Sequence, residues 1–340
     1  MMIPDRSILI DGRPVRGHAV ITDDGIEFSE GPSRDVPDVR GVIVPSLVDT
    51  HTHCADAGVK VTPGMTLEEL VAPPDGLKHV YLRSTPRDVL VRDMAGFESS
   101  ARSNGIGTFI DFREGGAEGC RMAREACPSA VILGRPLSQE FDPEEVEEIL
   151  SVADGIALSS ISDIDPAYAE RCAEAAHRAG KTFAIHCSER VREDLDLVLS
   201  LEPDFLVHMV EATDPDLKRC ADLDIPVSVC PRSNRFFGKV PPLRRMMDLG
   251  VTVAMGTDNA MLCTPDLRPE AELFREVLGD DRECLDWTWR CMCDFGRKLL
   301  YRTRGIITHA YADGLAVLPT EGGPPENAWS SSDRVGTFRH

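Results

Sequence analysis

Apolar, β-branched runs recur along the sequence, each bounded by glycine, proline or charged residues. The first, "GVIVPSLV", runs on into "DTHTH" and ends at His53; the others span 107–114, 129–136, 155–160, 182–189, 205–209, 226–231 and 252–259. Between them lie segments whose apolar positions recur at three and four residues. In "PAYAERCAEAAHRAG", Pro166 stands near the start and Gly180 just past the end, the usual punctuation of a helix. Strands that are apolar on both faces and separated by helices predict a parallel sheet. Eight such units predict a closed (β/α)8 TIM barrel. An open doubly wound sheet is the alternative, but no Gly-x-Gly-x-x-Gly follows the first strand.

The flanks have a different texture. Residues 1–41 read as short strands broken by Asp-Gly and Gly-Arg-Pro turns, and 305–340 are turn-rich with one short apolar run. Both ends are expected to build a small β-sandwich subdomain beside a barrel at 42–304. The Ser/Pro/Gly-rich middle of the tail reads equally as a mobile stretch. The connection 55–103 exceeds what a βα loop needs, which predicts a lid.

Composition narrows the class. The chain has 340 residues, 42% hydrophobic and 28% charged, with no apolar run near the ~20 residues that cross a bilayer. Its N-terminal stretch lacks a basic segment followed by a long apolar one, so a soluble cytoplasmic enzyme is expected. A net charge of -20 argues against nucleic acid or an anionic membrane as partner, because phosphate binding needs a positive footprint. A small-molecule partner remains, and a homo-oligomer is compatible with the composition. Eleven scattered cysteines read as thiols of a reducing compartment. Cys291 and Cys293 lack a second cysteine pair and read as packing residues.

The chemistry gathers at strand ends. His51 and His53 close the first run, and residues i and i+2 of a strand face the same side. His186 ends the fifth run, His208 lies in the sixth and Asp258 ends the eighth, so four of nine histidines occupy strand ends. In a barrel the C-terminal strand ends form the active face. Together with a carboxylate, these imidazoles predict a metal site.

"VDTHTH", "IHCSE", "LVH", "CPRSN" and "GTDN" resemble, in order, the motifs of the amidohydrolase superfamily. The resemblance is to its cytosine deaminase-like branch, which includes S-adenosylhomocysteine and other nucleoside deaminases. It implies one divalent ion held by His51, His53, His186 and Asp258, with His208 hydrogen-bonding the metal's water. Zn²⁺ suits this donor set first, and Fe²⁺ or Mn²⁺ also fit. Binuclear relatives bridge their ions with a lysine on the fourth strand, and "GIALSS" has none. Glu189, three residues after His186, matches the glutamate that protonates a ring nitrogen of the substrate. On the residues alone it reads equally as an acid at the start of the helix "SERVREDLDLVLS", with Ser188 as its cap.

The implied reaction is hydrolytic deamination of an aminated heterocyclic base or nucleoside. The ion lowers the pKa of its water from ~16 toward neutrality. Asp258 moves the water's proton to the leaving amine, and Glu189 protonates the ring. The alternative is a cyclic amide or chloro-heterocycle hydrolase using the same centre; a non-catalytic metal- or ligand-binding barrel is a third reading. Arg113 and Arg135, at the ends of the second and third runs, either hold a substrate anion or pair with Glu114 or Glu140. Lys78 and His79 fall in the expected lid, as substrate contacts or as solvated residues. Ser233 and Asn234, just past the seventh run, line the pocket or form a turn.

Overall fold

The computed structural model describes residues 2–3, 8–10, 13–22, 25–31, 41–62, 64–71, 75–304, 314–320 and 323–338. All eight runs form barrel strands: β1 (Leu47–His53), β2 (Ile106–Arg113), β3 (Val131–Gly134), β4 (Gly155–Leu158), β5 (Thr182–Cys187), β6 (Phe205–His208) and β7 (Val227–Val229). The eighth, β8, covers Val253–Met255 and resumes at Asp258–Asn259. Each strand pairs in parallel with the next. The ring closes where Asp258 and Asn259 pair with Thr52 and His53.

Alternating side chains separate two apolar layers, as a barrel buried on both faces requires. Ile110, Phe112, Val131, Leu133, Ala157, Ala184, Phe205 and Val207 fill the interior. Phe109, Ile132, Ile156, Phe183, Ile185 and Leu206 face the surrounding helices. The helix after β4 spans Pro166–Arg178 as its punctuation predicts, with the Asp165 side chain accepting from the amides of Ala167 and Tyr168. Cys291 and Cys293 sit buried in a π-helical turn, and all eleven cysteines are free and buried.

The first run is two strands rather than one. Val42–Pro45 pairs with Leu315–Leu318 and with Ile8–Ile10 in a five-stranded sheet that Gly336–Phe338 and Arg13–Val15 complete. The Ser46 amide still bonds the Gly314 carbonyl in line with that sheet, and the next amide, Leu47, bonds Gly105 at the start of the barrel. The barrel is therefore placed from Leu47 onward. A second sheet joins Met2–Ile3, Gly17–Thr22 and Gly25–Glu30, all antiparallel. Both ends of the chain thus contribute to the flanking β structure. Pro14, expected in a turn, lies in the edge strand Arg13–Val15, where its missing amide costs no ladder bond. The expected turns at 11–12 and 23–24 fall outside the described residues, as do 32–40 and 305–313.

Among the described residues of the tail's Ser/Pro/Gly-rich stretch, read as a possible mobile segment, Glu326, Ala328 and Trp329 are packed. Trp329 is buried with its ring 4.8 Å from that of Trp289, and Trp289 Nε1 donates to Glu326 Oε1 at 3.2 Å.

Closure of the barrel depends on one glycine. A Cβ on Gly256 would stand 2.9 Å from both the Cβ and the backbone nitrogen of His51. Gly256→Ala is expected to lower stability by ~1–3 kcal/mol, measured by urea unfolding. An unchanged unfolding midpoint would contradict this close approach.

Candidate active site

His51 and His53 reach the barrel axis through an irregularity. Val48 belongs to the interior layer, so strict alternation would send Thr50 and Thr52 inward and both histidines outward. The pairing of β1 with β2 shifts register between Asp49 and Thr52. Such a bulge re-aims the side chains beyond it. Below it, Thr50 Oγ1 donates to the Met255 carbonyl at 2.9 Å, and Asp49 accepts from the amide and hydroxyl of Thr257. On β5, His186 follows Ala184 onto the inner face.

The imidazoles form a tight group. Ligand atoms of His51, His53 and His186 lie within 4.8 Å of one another, as do those of His51, His208 and Asp258. Asp258 Oδ1 is 3.3 Å from His51 Nε2 and 3.6 Å from His53 Nε2. Backbone carbonyls hold the far nitrogens: His53 Nδ1 is 3.0 Å from the Phe112 oxygen and His186 Nδ1 2.8 Å from that of Leu158. A proton on Nδ1 leaves the Nε2 lone pair free for a ligand. Phe112 closes the floor, its ring edge-on to His51 at 4.4 Å.

Burial pushes the pKa of His51 down to about 3 and that of His208 to about 4, and holds His186 well below the usual imidazole range. Neutral imidazoles are the form that binds a metal. Burial alone would raise Asp258; the contact with His51 and the charges of His51, His208 and His53 outweigh it and hold the carboxyl well below its ordinary value. Both ring nitrogens of His51 are buried without a well-formed hydrogen bond. A buried polar group without a partner is costly. One carboxylate and neutral imidazoles sharing a centre fit a divalent ion.

The remaining strand ends supply a second layer of contacts. Ser233 Oγ donates to Asp258 Oδ2 at 2.5 Å, and the Asn234 side chain meets His208 Nδ1 at 3.4 Å. Both are fully buried on the helix Pro231–Phe236, so the turn alternative for them gives way to pocket lining. Glu189 does not begin a helix: the helix is Leu195–Ser200, capped by Asp194. Its Oε2 instead lies 3.5 Å from His208 Nε2, with the side chain 20% exposed. Burial, and then the charge of Asp258, raise its pKa to about 8. Ser188, His208, Met209 and Asp258 all adopt left-handed backbone, with φ between 50° and 77°. Such conformations cost ~1–3 kcal/mol each and gather where function holds them.

Of the charged group behind His53 the sequence suggested only the pairing of Arg113 with Glu114. Glu114 Oε1 is 3.0 Å from His53 Nδ1 and 2.5 Å from Lys78 Nζ, and Glu114 Oε2 accepts from Arg113 at 2.6 Å. Lys78, expected as a lid residue exposed to solvent or substrate, is 3% exposed. Burial would raise Glu114; Lys78, His53 and Arg113 hold it well below the carboxylate range. Arg113 is 1% exposed and committed to Glu114 and Asp111, which excludes it as a substrate anchor. Arg135 is half-buried and has no side-chain partner among the described residues. His79 Nε2 is 3.0 Å from the Val71 carbonyl, a contact inside the segment expected to form a lid.

Comparison with known proteins agrees with this geometry. The Amidohydrolase family profile matches residues 42–286. The chain belongs to the amidohydrolase family. As such it is a hydrolytic enzyme, and its His/Asp group is the kind of centre on which metal-dependent hydrolysis relies. The chain is 35% identical to a putative aminohydrolase of Methanothermobacter thermautotrophicus, over 82% of this chain and 80% of that one. Two solved structures share the fold. The aminofutalosine deaminase of Helicobacter pylori, in complex with methylthio-coformycin, has a TM-score of 0.73 at 16% identity, covering 99% of this chain and 98% of that one. The atrazine chlorohydrolase of Arthrobacter aurescens, complexed with zinc, has 0.73 at 15% identity, covering 98% and 92%.

His51→Ala is expected to abolish metal retention. His208→Ala is expected to keep most of the metal while losing turnover by ~10²–10³. Metal analysis beside steady-state assay checks both. Equal metal loss in the two variants would make His208 a ligand.

Proposed function

We propose that this amidohydrolase is a deaminase of an aminated heterocycle, a nucleobase or nucleoside, acting with one divalent ion. In this reading His51, His53, His186 and Asp258 hold the ion, Zn²⁺ by preference, with Fe²⁺ or Mn²⁺ compatible with the donors. When bound, such an ion makes water a nucleophile at neutral pH.

The chain's own residues then move the protons. Asp258, whose Oδ2 accepts from Ser233, takes the proton of the attacking water and delivers it to the departing amine. Glu189 donates to the ring nitrogen beside the reacting carbon, which makes that carbon easier to attack. His208 hydrogen-bonds the oxygen as the carbon becomes tetrahedral. As the C–N bond breaks and ammonia leaves, the added hydroxyl gives its proton to the Glu189 carboxylate, which restores the acid and leaves a ring carbonyl beside the protonated ring nitrogen.

The observation that carries this reading is Glu189, which stands free of any helix at the rim of the histidine group, 3.5 Å from His208. A carboxyl raised toward 8 is a proton donor at neutral pH; a bound cation near Asp258 would cancel part of that rise. The Helicobacter pylori neighbour, a deaminase holding methylthio-coformycin, supports a nucleoside-like substrate. Arg135, just past the C-terminal end of β3 and without a side-chain partner among the described residues, favours one bearing an anionic group. The second reading, hydrolysis of a chloro-heterocycle, is favoured by the atrazine chlorohydrolase neighbour. A cytoplasmic location suits eleven free thiols, and no helix among the described residues is long and apolar enough to cross a membrane.

Glu189→Gln tests the assignment. The amide keeps the shape and cannot deliver a proton. The variant is expected to hold its metal and melting temperature while losing ~10²–10⁴ in kcat on the best amine of a purine and pyrimidine panel. An intact kcat would remove the ring acid from the mechanism.

A further inference from the structure

Lys78 lies on the helix Leu77–Ser84, in the surplus chain between β1 and the helix Arg87–Ser103. Its ammonium is buried at 3% exposure, 2.5 Å from Glu114 Oε1 and 3.8 Å from Asp56 Oδ2, and it donates to Asn259 Oδ1 at 3.4 Å. Three oxygens from three elements surround this ammonium, and two of them are carboxylate oxygens that compensate its buried charge. Its partners belong to three different parts of the site: Asp56 follows β1, Glu114 follows β2, and Asn259 is the neighbour of Asp258 on β8. Asp56 Oδ1 in turn accepts from the Met261 amide at 2.9 Å. Burying a charge is costly unless partners replace its water, so the helix can seat only where these oxygens converge.

Glu114 passes that constraint to the centre. Arg113 fixes its Oε2 at 2.6 Å, Lys78 fixes its Oε1, and Oε1 also stands 3.0 Å from His53 Nδ1. His53 Nδ1 bonds the Phe112 carbonyl, and the Glu114 charge beside it reinforces that tautomer and ring angle; losing such outer contacts typically costs 10–100-fold in metal affinity. With Lys78 gone, Oε1 would lose the cation that holds it against His53. We propose that Lys78 is a positioning residue for the metal centre, coupling the seating of the helix Leu77–Ser84 to retention of the ion through Glu114 and His53. The proposal rests on the metal-site reading above, not on the identity of the substrate.

The test is the rate at which zinc leaves the full-length, zinc-loaded protein to an excess of a chromogenic chelator. Four variants are compared with the wild type: Lys78→Met, Glu114→Gln, the double variant, and Lys181→Met. The last removes a half-buried ammonium that bonds the Leu150 and Ala153 carbonyls, next to the N-terminal end of β5 and away from the site. Lys78→Met and Glu114→Gln are each expected to release zinc 10–100-fold faster. The double variant should match the single ones within about threefold, because residues acting as one unit are not additive. Amide exchange across 77–84 should rise in Lys78→Met with zinc still bound. Lys181→Met should lower the melting temperature and leave zinc release unchanged. Should Lys78→Met fail to fold, the double variant, which removes both charges, carries the test. Zinc release at the wild-type rate from a folded Lys78→Met or double variant would overturn the proposal. Wild-type protein that retains no divalent ion would overturn the metal reading itself.

Discussion

One backbone pairing both closes the barrel and assembles the candidate site. Asp258 and Asn259 lie in register with Thr52 and His53, so the contact that completes the ring also delivers the carboxylate to the first two histidines. Gly256 allows the approach, because any larger residue would press on His51. The charge balance follows from the same geometry. An ionised carboxylate is tolerable at 2% exposure because imidazoles surround it, and His51, His186 and His208 stay neutral because burial opposes their charging. Four strained residues at the ends of β5, β6 and β8 are held by this assembly rather than by local preference.

The periodicity of the sequence carried the barrel and the two-ended β subdomain, because apolar runs on both faces admit few other arrangements. His51, His53, His186, His208 and Asp258 were legible for a related reason: strand ends in a barrel share one face. Register and irregularity were not. Nothing in "GVIVPSLVDTHTH" marks the break at Ser46 or the bulge past Asp49, both of which depend on partners distant in sequence. The helix start was misplaced by six residues or more, since Asp194 is a better cap than Ser188 and the intervening segment carries Glu189 to the rim instead.

The least legible part was the polar layer behind the ligands. Lys78 sits in a segment that reads as solvent-exposed loop, and only the fold brings Asp56, Glu114 and Asn259 around it. Ser233 and Asn234 look like turn residues by composition, yet both are buried against titratable partners at the centre. Such groups orient the ligands and are set by tertiary contacts alone. For Arg113 the sequence left two readings, substrate anchor or ion pair, and the structure selects the pair with Glu114.

The central claim is that one ion at the His51, His53, His186 and Asp258 group drives release of ammonia from a ring amine. Titrating metal-free protein with Zn²⁺ while recording ammonia release from the best amine substrate tests it most directly. The account predicts activity that rises from zero in proportion to added metal and breaks at one equivalent per chain. A break at two equivalents, or ammonia release that ignores the metal, would contradict it.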